Sequence, residues 1–187
     1  MHVRYSPLPQ QFADVDEVFD ELRALVASGD FTLGAPVREF EALFAEMLGV
    51  RHAIGVGSGT DSLKLPLKAL GLGPGDEVVT TANTFYATVG AINEVGATPV
   101  FVDCDDNFCM DVGQLEGAIT DRTKAIMPVH LTGDCSDMPA INAIAEAHGL
   151  PVVEAACQSL LSEWDGVKAG TFGIAAGFSM HPSRSSM

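Results

Sequence analysis

Gly55-Val56-Gly57-Ser58-Gly59-Thr60-Asp61 is the segment of this chain best suited to hold an anion. It follows a short apolar stretch and opens a helical one. Glycines let a ligand approach the backbone, the first turn of a helix presents free N–H groups with positive partial charge, and Thr60 adds a hydroxyl; a phosphate suits all three. Two other readings bear on the same residues. A dinucleotide fingerprint needs a third glycine where Thr60 stands and an acid after the second strand, whereas Glu77 precedes that strand. A glycine turn used only for packing stays open. Further along, Glu154 and Gln158 place a carboxylate and an amide after an apolar run, and Ser179 follows Phe178 near His181. His130 after another apolar run reads as a loop residue near the bound ligand rather than as a base, and Lys168 in Asp165-Gly166-Val167-Lys168 as a turn lysine. The acidic stretch from Asp103 fails as a calcium loop, because Phe108 and Gln114 stand where a glycine and a glutamate are needed. Cys104, Cys109, Cys135 and Cys157 form no C-x-x-C pair and read as reduced core thiols.

The elements that must position these residues alternate along the chain. Val15, Val18, Phe19, Leu22 and Val26 share one helix face between Asp14 and Ala27, opposite an acidic face. Pro36 suits a first helical turn, and Val37, Phe40, Leu43, Phe44 and Met47 continue at helical spacing until Gly49. Strands are predicted at 53–56, 78–80, 99–102, 125–129 and 151–154, with helices near 60–70, 84–94, 112–119 and 137–148. Such alternation predicts βαβ units: a three-layer α/β/α fold with a mostly parallel sheet. Pro66 sits inside one predicted helix, which should start late or kink there.

Composition narrows the function classes. Of 187 residues, 47% are hydrophobic and 19% charged, enough to bury a core. Lys and Arg total 10 against 25 Asp and Glu, a formal charge of −15, which excludes the basic surface that a nucleic-acid backbone requires and repels anionic membranes. No apolar run spans a bilayer and the start MHVRYSPLPQQ has no signal-peptide pattern, so a cytoplasmic location is expected.

Several segments together resemble the DegT/DnrJ/EryC1/StrS family of sugar aminotransferases, which depend on pyridoxal 5'-phosphate (PLP). Gly57 to Leu63 resembles the family's phosphate-cradling segment, and Thr84-Phe85-Tyr86-Ala87-Thr88 the segment whose aromatic residue stacks on the pyridine ring. Phe101-Val102-Asp103, Leu115 to Ile119, Pro128-Val129-His130-Leu131, Asp137-Met138-Pro139 and His148-Gly149-Leu150 are similar to its strand and loop landmarks. Glu154-Ala155-Ala156-Cys157-Gln158-Ser159 stands where an E-D-A-A-Q-A type motif belongs, and Phe178 to Arg184 where F-S-x-x-P-x-K does. Gly166, Gly170 and Gly173 lead into the latter, so the similarity runs from about Phe31 to Arg184.

The resemblance implies that Gly59, Thr60 and Asp61 border the cofactor phosphate with Ser179, that Phe85 stacks on its ring, and that Gln158 reaches its 3-hydroxyl. It also implies two losses. The chemistry needs a lysine amine that bonds to the cofactor aldehyde and shuttles protons, and a carboxylate that keeps the pyridine nitrogen protonated. Arg184 stands at the lysine position and Ala155 at the aspartate position. A guanidinium stays protonated and is no substitute for a free amine. Glu154 points to the other face of its strand and cannot take over. Some members carry histidine in place of the lysine and dehydrate their substrate, but His181 lies three residues before that position. The family's subunit continues well beyond the lysine and adds a small C-terminal domain. The expectation is therefore an N-terminal helical segment (1–30), an incomplete PLP-binding large domain (31–187), no small domain, and little or no transamination. Intact relatives move an amino group from glutamate or glutamine to a keto-sugar, usually nucleotide-linked, and are homodimers. The alternative is a non-catalytic protein that binds PLP or a sugar nucleotide, or that pairs with a full-length relative.

Overall fold

The computed structural model describes Gln10 and residues 12–181, and the chain divides between Gly55 and Val56 into two compact units. The first unit holds α1 (Asp16–Ser28) and α2 (Ala35–Leu48). The apolar residues predicted to share a face of α1 are present, yet none of this helix is buried; Phe19, Leu22 and Val26 border an open groove. Asp30 accepts the Ala35 N–H at 3.0 Å and so helps start α2, Pro36 occupies its first turn, and Gly49 ends it in the left-handed conformation. Phe40 and Phe44, one turn apart, stack with ring centroids 5.5 Å apart.

The second unit is the alternating one. In chain order it contains α3 (Gly59–Ala69), β1 (Glu77–Thr81), α4 (Tyr86–Glu94), β2 (Thr98–Val102), α5 (Val112–Ala118), β3 (Thr123–Met127), α6 (Met138–His148), β4 (Val153–Ala155), the hairpin β5 (Glu163–Trp164) and β6 (Val167–Lys168), and β7 (Ala175–Gly177). β1 pairs in parallel with β2 and with β3, and β4 in parallel with β7. Parallel bridges Ile126↔Val152 and Val129↔Ala155 join the two sets, which gives the order β2-β1-β3-β4-β7. Every residue of β1 is buried, as a central parallel strand requires. One core lies on the α3/α4 side and contains Leu63, Leu67, Ile92, Val78, Met127 and Ala155. The other lies on the α5/α6 side and contains Val79, Val102, Leu115, Ile126, Met138 and Ile141. The three-layer expectation therefore holds.

Three local expectations do not. Residues 53–56 form no strand: Ile54 is 78% exposed, and the Gly55 N–H donates to Glu41 Oε1 at 2.7 Å rather than to a neighbouring strand. An apolar tetrapeptide becomes a strand only where a ladder partner exists. Pro66 does not make α3 start late: the helix runs from Gly59 to Ala69 with Pro66 inside it. Leu63 and Leu67, both buried against the sheet, hold the helix across the hydrogen bond that Pro66 cannot donate. Lys168 is not in the turn but in β6, paired with Glu163 across a turn made by Asp165 and Gly166.

Candidate cofactor site

The N-terminus of α3 is built by its own sequence. Ser58 is the N-cap in extended conformation, its hydroxyl 3.1 Å from both the Asp61 N–H, from which it accepts, and Asp61 Oδ2. The N–H groups of Gly59 and Thr60 belong to the first turn, where no intrahelical acceptor exists. Asp61 turns its other oxygen to Lys64 Nζ at 2.6 Å, and Lys64 reaches Glu94 of α4 at 3.0 Å. Hydrogen bonds from Lys64 and then Ser58 hold the Asp61 carboxyl below its ordinary range, and the same contact with Asp61, followed by Glu94, raises Lys64. Asp61 thus closes the cap, and the Gly59 and Thr60 N–H groups and the Thr60 hydroxyl are the groups of this turn with the chemistry to serve an anion.

Two distant segments converge on this turn. A methyl group on Gly59 would come within 2.9 Å of Ser179 Cβ, 3.1 Å of Ser179 Oγ and 3.5 Å of Cys157 Sγ, so only glycine lets the three meet. Ser62 Oγ lies 2.7 Å from the Gly59 carbonyl and 3.1 Å from that of Phe178, tying the chain after β7 to the helix. Cys157 Sγ lies 3.8 Å from the Gly59 carbonyl and 3.5 Å from that of Gly177. Gly59, Thr60, Asp61 and Ser179 are accordingly in one place, and Gln158 follows Cys157 on the same turn. Phe85 caps α4, 44% exposed, its ring 4.3 Å from that of Tyr86. Arg184 lies outside the described residues.

β4 carries the chemical contrast. Ala155 is buried on the α3 side in the same core as Leu63, Leu67, Val129 and Val153. Glu154 turns to the opposite side, fully buried, and accepts from Gly170 N–H at 2.7 Å, Phe172 N–H at 2.8 Å and Gly173 N–H at 2.6 Å. A hydrogen bond of 2.9 Å joins it to His130 Nε2. His130 is a loop residue as expected, but its ring lies in the interior, fully buried and turned to Glu154. Sequence reasoning missed this hub. The glycines at 170 and 173, spaced to follow a buried strand, were its one visible signal. Of the thiols, Cys109 and Cys135 are buried; burial raises both, Cys135 to about 12, so neither is a nucleophile. Cys104 and Cys157 are half-buried.

A phosphate suits the α3 end, where the first-turn N–H groups have no intrahelical acceptor and the lack of a side chain on Gly59 lets Ser179 and Cys157 approach the turn. At the position expected to meet a pyridine nitrogen there is a methyl group. The DegT/DnrJ/EryC1/StrS aminotransferase family model matches residues 13–185. The chain belongs to that family. It is 47% identical over 170 residues to UDP-N-acetyl-3-dehydro-alpha-D-glucosamine 3-aminotransferase of Acidithiobacillus ferrooxidans, covering 90% of this chain and 46% of that protein. It is 44% identical over 186 residues to a pleiotropic regulatory protein of Geobacillus stearothermophilus, covering 98% and 50%. A DegT/DnrJ/EryC1/StrS aminotransferase from Brucella abortus superposes with a TM-score of 0.92 at 40% identity, over 97% of this chain and 51% of that one. The PLP form of the sugar aminotransferase Spr1654 from Streptococcus pneumoniae gives 0.87 at 31%, over 91% and 48%. The chain thus spans about half the length of these family members.

Proposed function

We propose that this chain forms the phosphate-holding part of a PLP site of the sugar-aminotransferase kind, binds the cofactor without a covalent bond, and supports little or no transamination by itself. The observation that carries the reading is the meeting of Gly59, Ser179 and the Cys157–Gln158 turn at the open end of α3. There the Gly59 and Thr60 N–H groups bind the phosphate, Ser179 bounds it, and Gln158 and Phe85 hold the ring from its edge and face. When bound, PLP supplies an electron-accepting ring. Ala155 offers no carboxylate to keep that ring protonated, and Glu154 is committed to four donors on the other side of the sheet. The Arg184 guanidinium supplies charge rather than a free amine.

Relatives named as transaminases of UDP- and dTDP-linked sugars support a nucleotide-linked keto-sugar as the second ligand; glutamate or glutamine as amino donor rests on the family resemblance alone. Within this reading residues 31–187 are the PLP-binding domain, preceded by a helical segment over 1–30; the working form is a homodimer or a pair with a full-length relative. We place it in the cytoplasm; among the described residues no helix is long and apolar enough to cross a membrane.

The test is a PLP titration followed by absorption, borohydride treatment and intact mass. Saturable binding without mass gain is expected. A reductive mass gain at a lysine would remove the noncovalent reading, and no binding would remove the cofactor reading.

A further inference from the structure

We infer that His130 is a positioning residue for the ring end of the site: it suspends the turn that carries Cys157 and Gln158. The inference rests on the reading above. His130 Nδ1 accepts the Ser136 N–H at 3.1 Å, so Nδ1 carries no proton and the ring proton sits on Nε2, aimed at Glu154 Oε2 at 2.9 Å. The imidazole is thereby held in one tautomer and one orientation between the loop before α6 and the carboxylate of β4. Glu154 in turn is fixed by Gly170, Phe172 and Gly173, and a Cβ at Gly173 would come within 2.5 Å of the Val152 carbonyl, so that loop is pressed against β4. Ser136 Oγ closes the frame on the Val129 carbonyl at 3.1 Å.

What hangs from this frame is the turn. The His130 N–H donates to the Ala155 carbonyl at 3.2 Å, and the His130 carbonyl accepts from Ser159 Oγ. Both ends of the Ala155–Ser159 segment are therefore bonded to the main chain of one residue, whose side chain is locked on the far side of the sheet. Cys157 and Gln158 lie between those two attachment points. The phosphate end is different: its donors are the Gly59 and Thr60 N–H groups in the first turn of α3, which Ser58 caps and to which His130 makes no hydrogen bond.

That asymmetry gives a readout that a general loss of structure would not produce. His130→Leu and Ser159→Ala are each compared with the unchanged chain for affinity toward PLP and toward inorganic phosphate. Thermal melting and hydrogen exchange at the Ala156 and Ser159 amides are followed in parallel. The expected result is PLP affinity weaker by about tenfold, the scale of one lost interior hydrogen bond, with phosphate affinity unchanged. Equal losses for both ligands, or no loss for either in a folded variant, would overturn the inference. Should His130→Leu fail to fold, Ser159→Ala decides alone, since it deletes one suspension point and leaves the His130–Glu154 pair intact. If the unchanged chain binds neither ligand, the cofactor reading falls and exchange decides separately. Faster exchange at Ala156 and Ser159 in Ser159→Ala, with the sheet unchanged, supports suspension of the turn by His130; unaltered exchange overturns it.

Discussion

The two faces of β4 carry opposite chemistry. Ala155 meets the α3 core as a methyl among leucines and valines; Glu154, one residue earlier, buries a carboxylate under four donors. One face is where a ring nitrogen would be met, and it has no charge to offer. The other has a charge with no room for a ligand, because every lone-pair direction is taken by the protein. An acidic residue in a site-bearing strand is therefore no measure of chemistry: the pleat decides which side it serves, and the donors around it decide whether it is free.

The largest expected effect breaks the Glu154 face. Glu154→Leu strands three backbone N–H groups and the His130 Nε2–H in the interior. Urea denaturation should show a loss of about 3 kcal/mol or more, at the upper end for a dismantled buried network. Glu154→Gln, which accepts through only one oxygen, should fall between the two. Next comes the Ala155 face. Ala155→Asp places an unpaired carboxylate in the α3 core, where burial raises its pKa above the ordinary value near 4, so the neutral form is favoured when folded. The sign follows: this variant should lose stability as pH rises through and above that value, and bound PLP should recover part of the loss. A melting temperature flat from pH 4 to pH 8 would show that the position is not buried as described.

Gly59→Ala sharpens the comparison at the phosphate end. Alanine is the better helix former, so any loss measures crowding rather than propensity. Urea denaturation should show a loss of about 1–3 kcal/mol, the usual cost of overpacking, and Gly59→Ala combined with Ser179→Gly should recover part of that stability, because the 2.9 Å clash partner is gone, but not the phosphate affinity that Ser179 supports. The smallest effect is electrostatic. Asp61 is held below its ordinary 3.8 and Glu77 below 4.5, the latter by Thr120 and then Arg122. Each contributes stability above its ordinary pKa that is lost as pH falls through the lowered one. Lys64→Met removes the ammonium that does most to hold Asp61 ionised, so the midpoint of acid unfolding should move slightly toward neutral pH while stability at high salt stays unchanged.

How far these features were legible differs residue by residue. The βαβ alternation was readable because parallel strands buried on both faces are apolar runs and the helices between them keep a helical period. Gly59 and Thr60 were readable as the opening of a helix because glycines followed by a helical period are a local signal, whereas the cap itself falls on Ser58. Residues 53–56 were misread since pairing is a property of two segments, and Pro66 since the burial of Leu63 and Leu67 outweighs a local breaker. Glu154 and His130 were placed on the right element but not given their work, because their partners lie 16 to 24 residues away.

By itself, the amino-acid sequence determined the order of helices and strands from α3 to β4, the anion-ready first turn of α3, and the absence of an acid at position 155; each depends on residue type and near neighbours alone. Only the tertiary structure decided which segments meet that turn, and that the neighbouring acid is consumed by Gly170, Phe172, Gly173 and His130. Those outcomes depend on chain crossings that bring remote backbone donors to one point, and such donors are the same in every residue type but proline.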